Sequence, residues 1–172
     1  DPNEPEPQIM DHTTQKLKVF PQIAKSIVFQ TTAENIWKMY NAVTSEIEQG
    51  NLDRMPEMHA LSCCLKAICS RDATEGVEIC RMSCGGHGFM DCSNFPTIYG
   101  MSTAVCTYEG ENTVMLLQTA RYLVKVYAQA LNGEKLVPTV SYINEAIREK
   151  EFVNFDGSLW SIVKAFEFVA AK

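Results

Sequence analysis

The sequence has no long apolar run and no basic stripe, and these absences exclude two classes of protein. Nowhere in its 172 residues do about eighteen apolar residues follow one another, so no membrane-spanning helix is predicted. Asp and Glu (21) outnumber Lys and Arg (15), giving a formal net charge of −6 at pH 7. Because nucleic-acid binding relies on clustered Lys and Arg, we expect no DNA or RNA partner.

The cysteine pattern lacks the signs of a disulfide scaffold or a redox pair. The seven cysteines are odd in number, several lie inside apolar helical patterns, and no two have the C-x-x-C spacing. Free cysteine behaves as a small buried hydrophobic residue. We therefore expect most of them to fill the core of a protein in a reducing compartment.

No segment shows the period-two alternation of a β-strand, whereas apolar residues recur at three and four residues over long stretches. Three long helices are predicted, over residues 10–49, 56–84 and 111–131. Two shorter helical patterns follow, "VSYINEAIREKE" and "SLWSIVKAFEFVAA". The predicted class is all-α, a four-helix-type bundle.

The apolar positions of the first helix include Leu17, Phe20, Ile27 and Val43, and Pro21 is expected to bend or restart it. The third helix has an apolar stripe that includes Leu116, Leu123, Tyr127 and Leu131. Each stripe is predicted to face the core.

Three prolines in "DPNEPEP" predict an extended linker or cut end over residues 1–9, followed by one helical domain over 10–172. The start of the chain has neither the basic segment nor the apolar stretch of a signal peptide. About twenty-five residues, from Gly85 to Gly110, join two predicted helices. Connections of that length in a compact bundle are usually functional, so we expect the chemistry there.

A metal site is the first possibility for this connection. Cys80, Cys84, His87 and Cys92 give C-x3-C-x2-H-x4-C. Zinc sites repeat a C-x(2–4)-C pair at a distance so that four ligands converge tetrahedrally, and no second pair is present. We expect no metal here.

The glycines of "GGHG" are the second possibility. Gly85, Gly86 and Gly88 lack a Cβ, which permits positive φ and lets backbone N–H groups approach a flat or anionic ligand. A helix stop would explain one of these glycines, and close approach of a cofactor or a second backbone would explain all three.

The segment "TYEGEN" is the third. Glu109 precedes a predicted helix, so its carboxylate leaves a turn, where apolar surroundings would make it a better base. Alternatively Glu109, Glu111 and Asn112 only complement the positive end of that helix.

Taken together, "CRMSCGGHGF", "NFPTIYGMSTAVC" and "TYEGENTVMLLQTARYL" closely resemble the corresponding run of the peroxisomal acyl-CoA oxidases, members of the acyl-CoA dehydrogenase superfamily. The resemblance extends from about "EPEPQIMD" through "LVKVY". It implies the C-terminal helical bundle of a flavoenzyme that converts fatty acyl-CoA to trans-2-enoyl-CoA and passes electrons to oxygen, giving hydrogen peroxide.

The same resemblance implies roles for individual residues. Glu109 corresponds to the family's catalytic base, which removes the α-proton while the β-hydrogen leaves as hydride to FAD. The glycine-loop residues would contact FAD held mainly by the neighbouring subunit of a homodimer, and the residues after Glu109 would border the same flavin. The implied cofactor contacts are Gly85, Gly86, His87, Gly88, Gly110, Glu111 and Asn112. Cys80, Cys84 and Cys92 are then expected to serve packing.

Whole acyl-CoA oxidases are several times longer, so the chain is expected to be a fragment that is inactive alone. A peroxisomal location is implied by the resemblance only, because the sequence shows no targeting signal. Two alternatives remain. One is an acyl-CoA dehydrogenase, although "EGEN" rather than "EGT" favours an oxidase, and the other is a non-catalytic helical interaction module.

Overall fold

The computed structural model describes residues 5–148 and 155–171, and all regular secondary structure in these ranges is helical. The α-helices are α1 Thr13–Glu48, α2 Met55–Ser83, α3 Phe95–Val105, α4 Asn112–Leu131, α5 Tyr142–Arg148 and α6 Leu159–Ala170. Short 3₁₀ turns occupy Ile9–Asp11, Gly85–Phe89, Asp91–Ser93 and Pro138–Val140. The predicted all-α class is confirmed.

The helix predictions hold to within a few residues for α1, α2, α4 and α6. The fourth predicted helix, "VSYINEAIREKE", corresponds to α5, and its last residues lie outside the described ranges, as do residues 1–4 of the predicted linker. None of the described helices is long and apolar enough to cross a membrane. The chain divides into two compact units, residues 1–117 and 118–172, and α4 contributes to both.

In the first unit, α1 and α2 form an antiparallel hairpin closed by a short turn. At the open end the Gln15 side-chain amide donates to the Ser83 carbonyl at 3.0 Å. Midway, Lys25 pairs with Asp72 at 3.3 Å. Near the turn Arg54, which precedes α2, pairs with Glu46 of α1 at 3.1 Å.

The predicted apolar series of α1 is buried only in part. Leu17, Phe20 and Ile27 are 70%, 53% and 63% exposed, whereas Val43 of the same series is buried. Apolar side chains occur on all sides of α1, so their spacing did not identify the whole of the packed face. Pro21 does not restart the helix, because α1 runs continuously through it.

The connection between α2 and α4 is largely helical, which the sequence analysis missed. Two 3₁₀ turns lead into α3, which has Pro96 in its first turn and packs against α2. Gly100 and β-branched residues such as Thr97 and Ile98 lower helix propensity, so this helix depends on packing rather than on local preference.

The core of the second unit is formed by Val126, Ala130, Leu136, Val140 and Ile143. The predicted stripe of α4 is therefore wrong: Leu116, Leu123, Tyr127 and Leu131 are exposed by 37% or more. α6 begins at a cap in which the Ser158 hydroxyl accepts from the Ser161 N–H at 3.1 Å.

Candidate functional site

The turn that precedes α4 has an unusual backbone. Glu109 and Gly110 adopt positive φ angles of 55° and 96° in succession. A side chain in the left-handed region costs roughly 1–2 kcal/mol, which Gly110 avoids and Glu109 does not. The Glu109 side chain is exposed in this chain. Strain at a carboxylate on an exposed turn is a recognised mark of functional positions.

The opposite side of this turn is fastened to α2. The Lys66 ammonium donates to the Gly110 carbonyl at 2.5 Å and to Asn112 Oδ1 at 2.9 Å. Asn112 is only 3% exposed, and its Nδ2 donates to Ser70 Oγ at 2.9 Å and to the Ala67 carbonyl at 3.2 Å. Both the oxygen and the nitrogen of the Asn112 side-chain amide are therefore hydrogen-bonded to residues of this chain.

A third polar residue of α2 extends the same contact. The Thr74 hydroxyl lies 2.8 Å from the Ser102 carbonyl of α3 and 3.6 Å from Cys106 Sγ. Lys66, Ser70 and Thr74 are spaced four residues apart and share one face of α2. Sequence reasoning missed this polar stripe, although polar residues repeating at four within an apolar helix were a usable signal.

Glu111 caps α4. Its carboxylate accepts from the Thr113 N–H at 2.9 Å and from the Thr113 hydroxyl at 3.2 Å. The Thr113 N–H is the largest cause of the lowered pKa of Glu111, and the Lys66 charge is a smaller one. Glu111 therefore interacts with the helix start, as one of the two alternatives for this segment expected.

The glycines of the "GGHG" loop have different local environments. Gly85 follows the end of α2 with φ 60°, the conformation of a helix stop. Gly88 is buried, and a Cβ there would run into the Arg81 carbonyl oxygen. Gly86 has no atom within 4 Å of a Cβ position, and both Gly86 and His87 are exposed. Gly86 is thus the glycine that the fold of this chain does not itself require.

An open groove of about 740 Å³ lies beside this loop. Phe89, which is 78% exposed, lines it together with Met90 and Tyr99. Arg81 also lines it and forms two 2.7 Å hydrogen bonds with the Glu78 carboxylate. An apolar surface with a fixed ion pair at its edge can accept a flat ligand or another chain.

Within this chain the two predicted groups of cofactor contacts are separated. The Glu109 turn is fastened to α2 at Lys66 and Ser70, whereas the glycine loop follows the end of α2 at Ser83. The interval from Ser70 to Ser83 corresponds to roughly 20 Å of helix. One flat ring system cannot touch both groups of the same chain.

The seven cysteines differ in how far they are exposed. All seven cysteines are free, Cys63 is buried, and Cys84 and Cys92 are exposed, so the packing role expected for the last two is wrong. Burial is the largest cause of the raised pKa of Cys80. Within the described ranges no three His, Cys, Asp or Glu side chains come together as a metal site.

Comparison with known proteins gives a consistent result. The family model described as "Acyl-CoA oxidase, C-alpha1 domain" matches residues 1–124. Acyl-coenzyme A oxidase 1 of Drosophila melanogaster is 82% identical over 171 residues, which cover 99% of this chain and 26% of that protein. Human peroxisomal acyl-coenzyme A oxidase 1 is 49% identical over 144 residues, or 84% of this chain and 22% of that protein.

Solved structures agree with these relatives. Acyl-CoA oxidase-1 of Caenorhabditis elegans, complexed with FAD and ATP, matches 99% of this chain and 26% of its own with TM-score 0.89 and 38% identity. An acyl-CoA oxidase from tomato matches 99% of this chain and 27% of its own with TM-score 0.90 and 31% identity. The chain thus spans about a quarter of the length of the relatives it matches.

Proposed function

The chain belongs to the acyl-CoA oxidase family, and we propose that it is the helical part of an enzyme that oxidises fatty acyl-CoA to trans-2-enoyl-CoA. Oxygen is the final electron acceptor and hydrogen peroxide the second product. The helical domain is assigned to residues 10–172, preceded by a linker over 1–9, and is inactive when isolated. The observation that carries this proposal is the Glu109 carboxylate, exposed on a turn whose opposite side is fastened to α2.

Glu109 is proposed as the base. Its carboxylate removes the proton from the α-carbon of the thioester, the C–H electron pair forms the Cα=Cβ bond, and the β-hydrogen leaves as hydride. Such a base must be held in line with a weakly acidic C–H bond, and a turn tied to a long helix is a rigid mount. Gly110 beside it has φ 96°, and a Cβ there would run into the Met115 side chain, so the turn that carries the carboxylate needs a glycine at this position.

FAD is the proposed cofactor, and when bound it accepts the hydride and passes two electrons to oxygen. The exposed backbone around Gly86 and His87 fits a flat or anionic group, because no atom of the chain occupies the space above Gly86. Gly85 and Gly88 shape that loop, and Gly110, Glu111 and Asn112 shape the turn beside Glu109.

A homodimer is part of the proposal. Because the glycine loop and the Glu109 turn lie roughly 20 Å apart along α2, the loop of one chain is proposed to contact FAD in the active site of the neighbouring subunit. The mammalian relatives are named peroxisomal oxidases, and we propose a peroxisomal location and a role in the first step of fatty acid β-oxidation.

The test is the full-length enzyme with Glu109→Gln, which keeps the shape of the side chain but removes its basicity. FAD and acyl-CoA should still bind, while flavin bleaching in rapid mixing should slow by about 10²–10⁴-fold or more. Glu111→Gln should cost much less, because that carboxylate caps α4. Near wild-type bleaching by the Glu109→Gln enzyme would remove Glu109 as the base.

Two further measurements separate the alternatives. Peroxide formed in step with enoyl-CoA identifies an oxidase, whereas a requirement for an electron-transfer flavoprotein identifies a dehydrogenase. Absence of flavin from the purified full-length protein would favour a non-catalytic helical module.

A further inference from the structure

The polar stripe of α2, defined as Lys66, Ser70 and Thr74, has a structural position that suggests more than helix packing. Lys66 reaches the Gly110 carbonyl between α3 and α4. Ser70 reaches the Asn112 amide at the start of α4, and Thr74 reaches the Ser102 carbonyl near the end of α3. The stripe thus fixes the segment on both sides of the strained Glu109.

We propose that Lys66, acting through the Gly110 carbonyl and the buried Asn112 amide, is the positioning residue that holds the Glu109 carboxylate in line with its substrate. This inference rests on the proposed function of Glu109. Lys66 itself touches neither substrate nor reacting atoms in the proposal.

The geometry explains why a lysine serves here. Gly110 and Asn112 lie on either side of Glu111 in the sequence. The single Lys66 ammonium group donates to the carbonyl of Gly110 and to Oδ1 of Asn112. An ammonium carries three donors on a flexible stem and can satisfy two acceptors at once. Without this cation, the backbone of a strained turn loses the bonds that offset its strain.

Asn112 completes the arrangement. At 3% exposure it cannot exchange its partners for water, and its Nδ2 is bonded to the Ala67 carbonyl and Ser70 Oγ on α2. Its N–H also donates to the Cys106 carbonyl at 3.1 Å, which closes the segment that carries Glu109. The turn is therefore held to α2 by a buried polar network, in which every member depends on the others.

The experiment uses the full-length enzyme with Lys66→Met, which keeps most of the alkyl stem and removes the donors. Flavin reduction should slow by about 10²-fold, the cost of displacing a catalytic group by about 1 Å. Bound flavin per chain should stay unchanged. Lys38→Met, at an exposed lysine of α1, is the matched control and should leave the rate at the wild-type value.

A double-mutant cycle separates positioning from a general loss of structure. In the Glu109→Gln background, Lys66→Met should slow flavin reduction by less than about 3-fold, because residues that act as one unit are not additive. An equal loss in both backgrounds would overturn the proposal, since Lys66 would then act independently of Glu109.

Hydrogen exchange supplies a readout that does not depend on activity. Lys66→Met should speed amide exchange in residues 107–113 and leave α1 unchanged, and Ser70→Ala should do the same more weakly. Unchanged exchange in residues 107–113 would overturn the proposal. If Glu109→Gln alone reduces its flavin normally, the base assignment fails, and the exchange data still decide whether Lys66 holds the turn.

Discussion

Gly88 and Gly86 lie two residues apart in the same 3₁₀ turn, yet they should respond to alanine in opposite ways. At Gly88 the added Cβ would overlap the Arg81 carbonyl oxygen and lie 3.0 Å from its carbonyl carbon and 3.2 Å from Cys84 Cβ. A backbone carbonyl near the end of α2 cannot rotate away as a flexible side chain can. At Gly86 the Cβ would meet no atom within 4 Å.

The expected magnitudes follow from these contacts. Gly88→Ala overpacks a backbone contact and should lower the free energy of unfolding by about 2–3 kcal/mol, near the upper part of the usual range. Gly86→Ala should raise it by about 0.4–1 kcal/mol, because alanine restricts the unfolded chain at a position without positive φ. The two variants should therefore differ by about 3 kcal/mol, or roughly 100-fold in the ratio of folded to unfolded molecules.

Urea unfolding of wild type and both variants, followed by far-ultraviolet circular dichroism, measures this difference. Titration of the full-length protein with FAD tests the functional role of Gly86, because Gly86→Ala should weaken FAD binding without loss of stability. Equal stability of the two variants would refute the assignment of Gly88 to packing. Unchanged FAD affinity in Gly86→Ala would refute cofactor approach at Gly86.

Two more predictions concern single side chains. Hydrogen bonds from the Ser158 hydroxyl and N–H lower the pKa of Asp156 to about 2. The contribution of Asp156 to the stability of the fold is therefore complete above the unfolded pKa and is lost as the pH falls toward about 2. Asp156→Asn should flatten this part of a plot of unfolding free energy against pH. Glu109→Gly should relieve the left-handed strain at this position. The free energy of unfolding should stay unchanged or rise by up to about 1 kcal/mol, because the relief is partly offset by unfolded-state entropy. Flavin reduction should be lost, and a clear drop in melting temperature would contradict the predicted relief of strain.

The sequence allowed the helices to be predicted better than their packing. Helix bounds follow from local signals, such as Pro56 at the start of α2 and Gly50 and Gly133 at positive φ after α1 and α4. The packed faces depend on neighbours. In α4 the buried Val126 and Ala130 are smaller than the exposed Leu123 and Tyr127, so hydrophobicity alone selects the wrong stripe.

The site shows the same division. Glu109 and the glycine loop could be selected as candidates from the sequence because their spacing is distinctive. For Glu111 the sequence left two roles open, a flavin contact and a complement to the helix start, and its hydrogen bonds to Thr113 support the second. Lys66 could not be selected from the sequence, since the contact with Gly110 joins residues 44 positions apart in the chain. No periodicity links such residues until α3 returns along α2 and brings the turn to it.

The backbone at Glu109 gives an independent reason to regard this carboxylate as functional. A glycine, or the better tolerated Asn, would adopt φ 55° at lower cost, and neither Gly110 nor Asn112 requires a carboxylate beside it for its bonds to Lys66. Among the described residues no hydrogen bond or ion pair involves the Glu109 side chain, yet its backbone has φ 55° and Lys66 holds the neighbouring Gly110 and Asn112 in place. Strain retained where the fold gains nothing from the side chain is best explained by what that side chain does, and a carboxylate projecting from a fixed turn into open space is suited to removing a proton from a bound substrate.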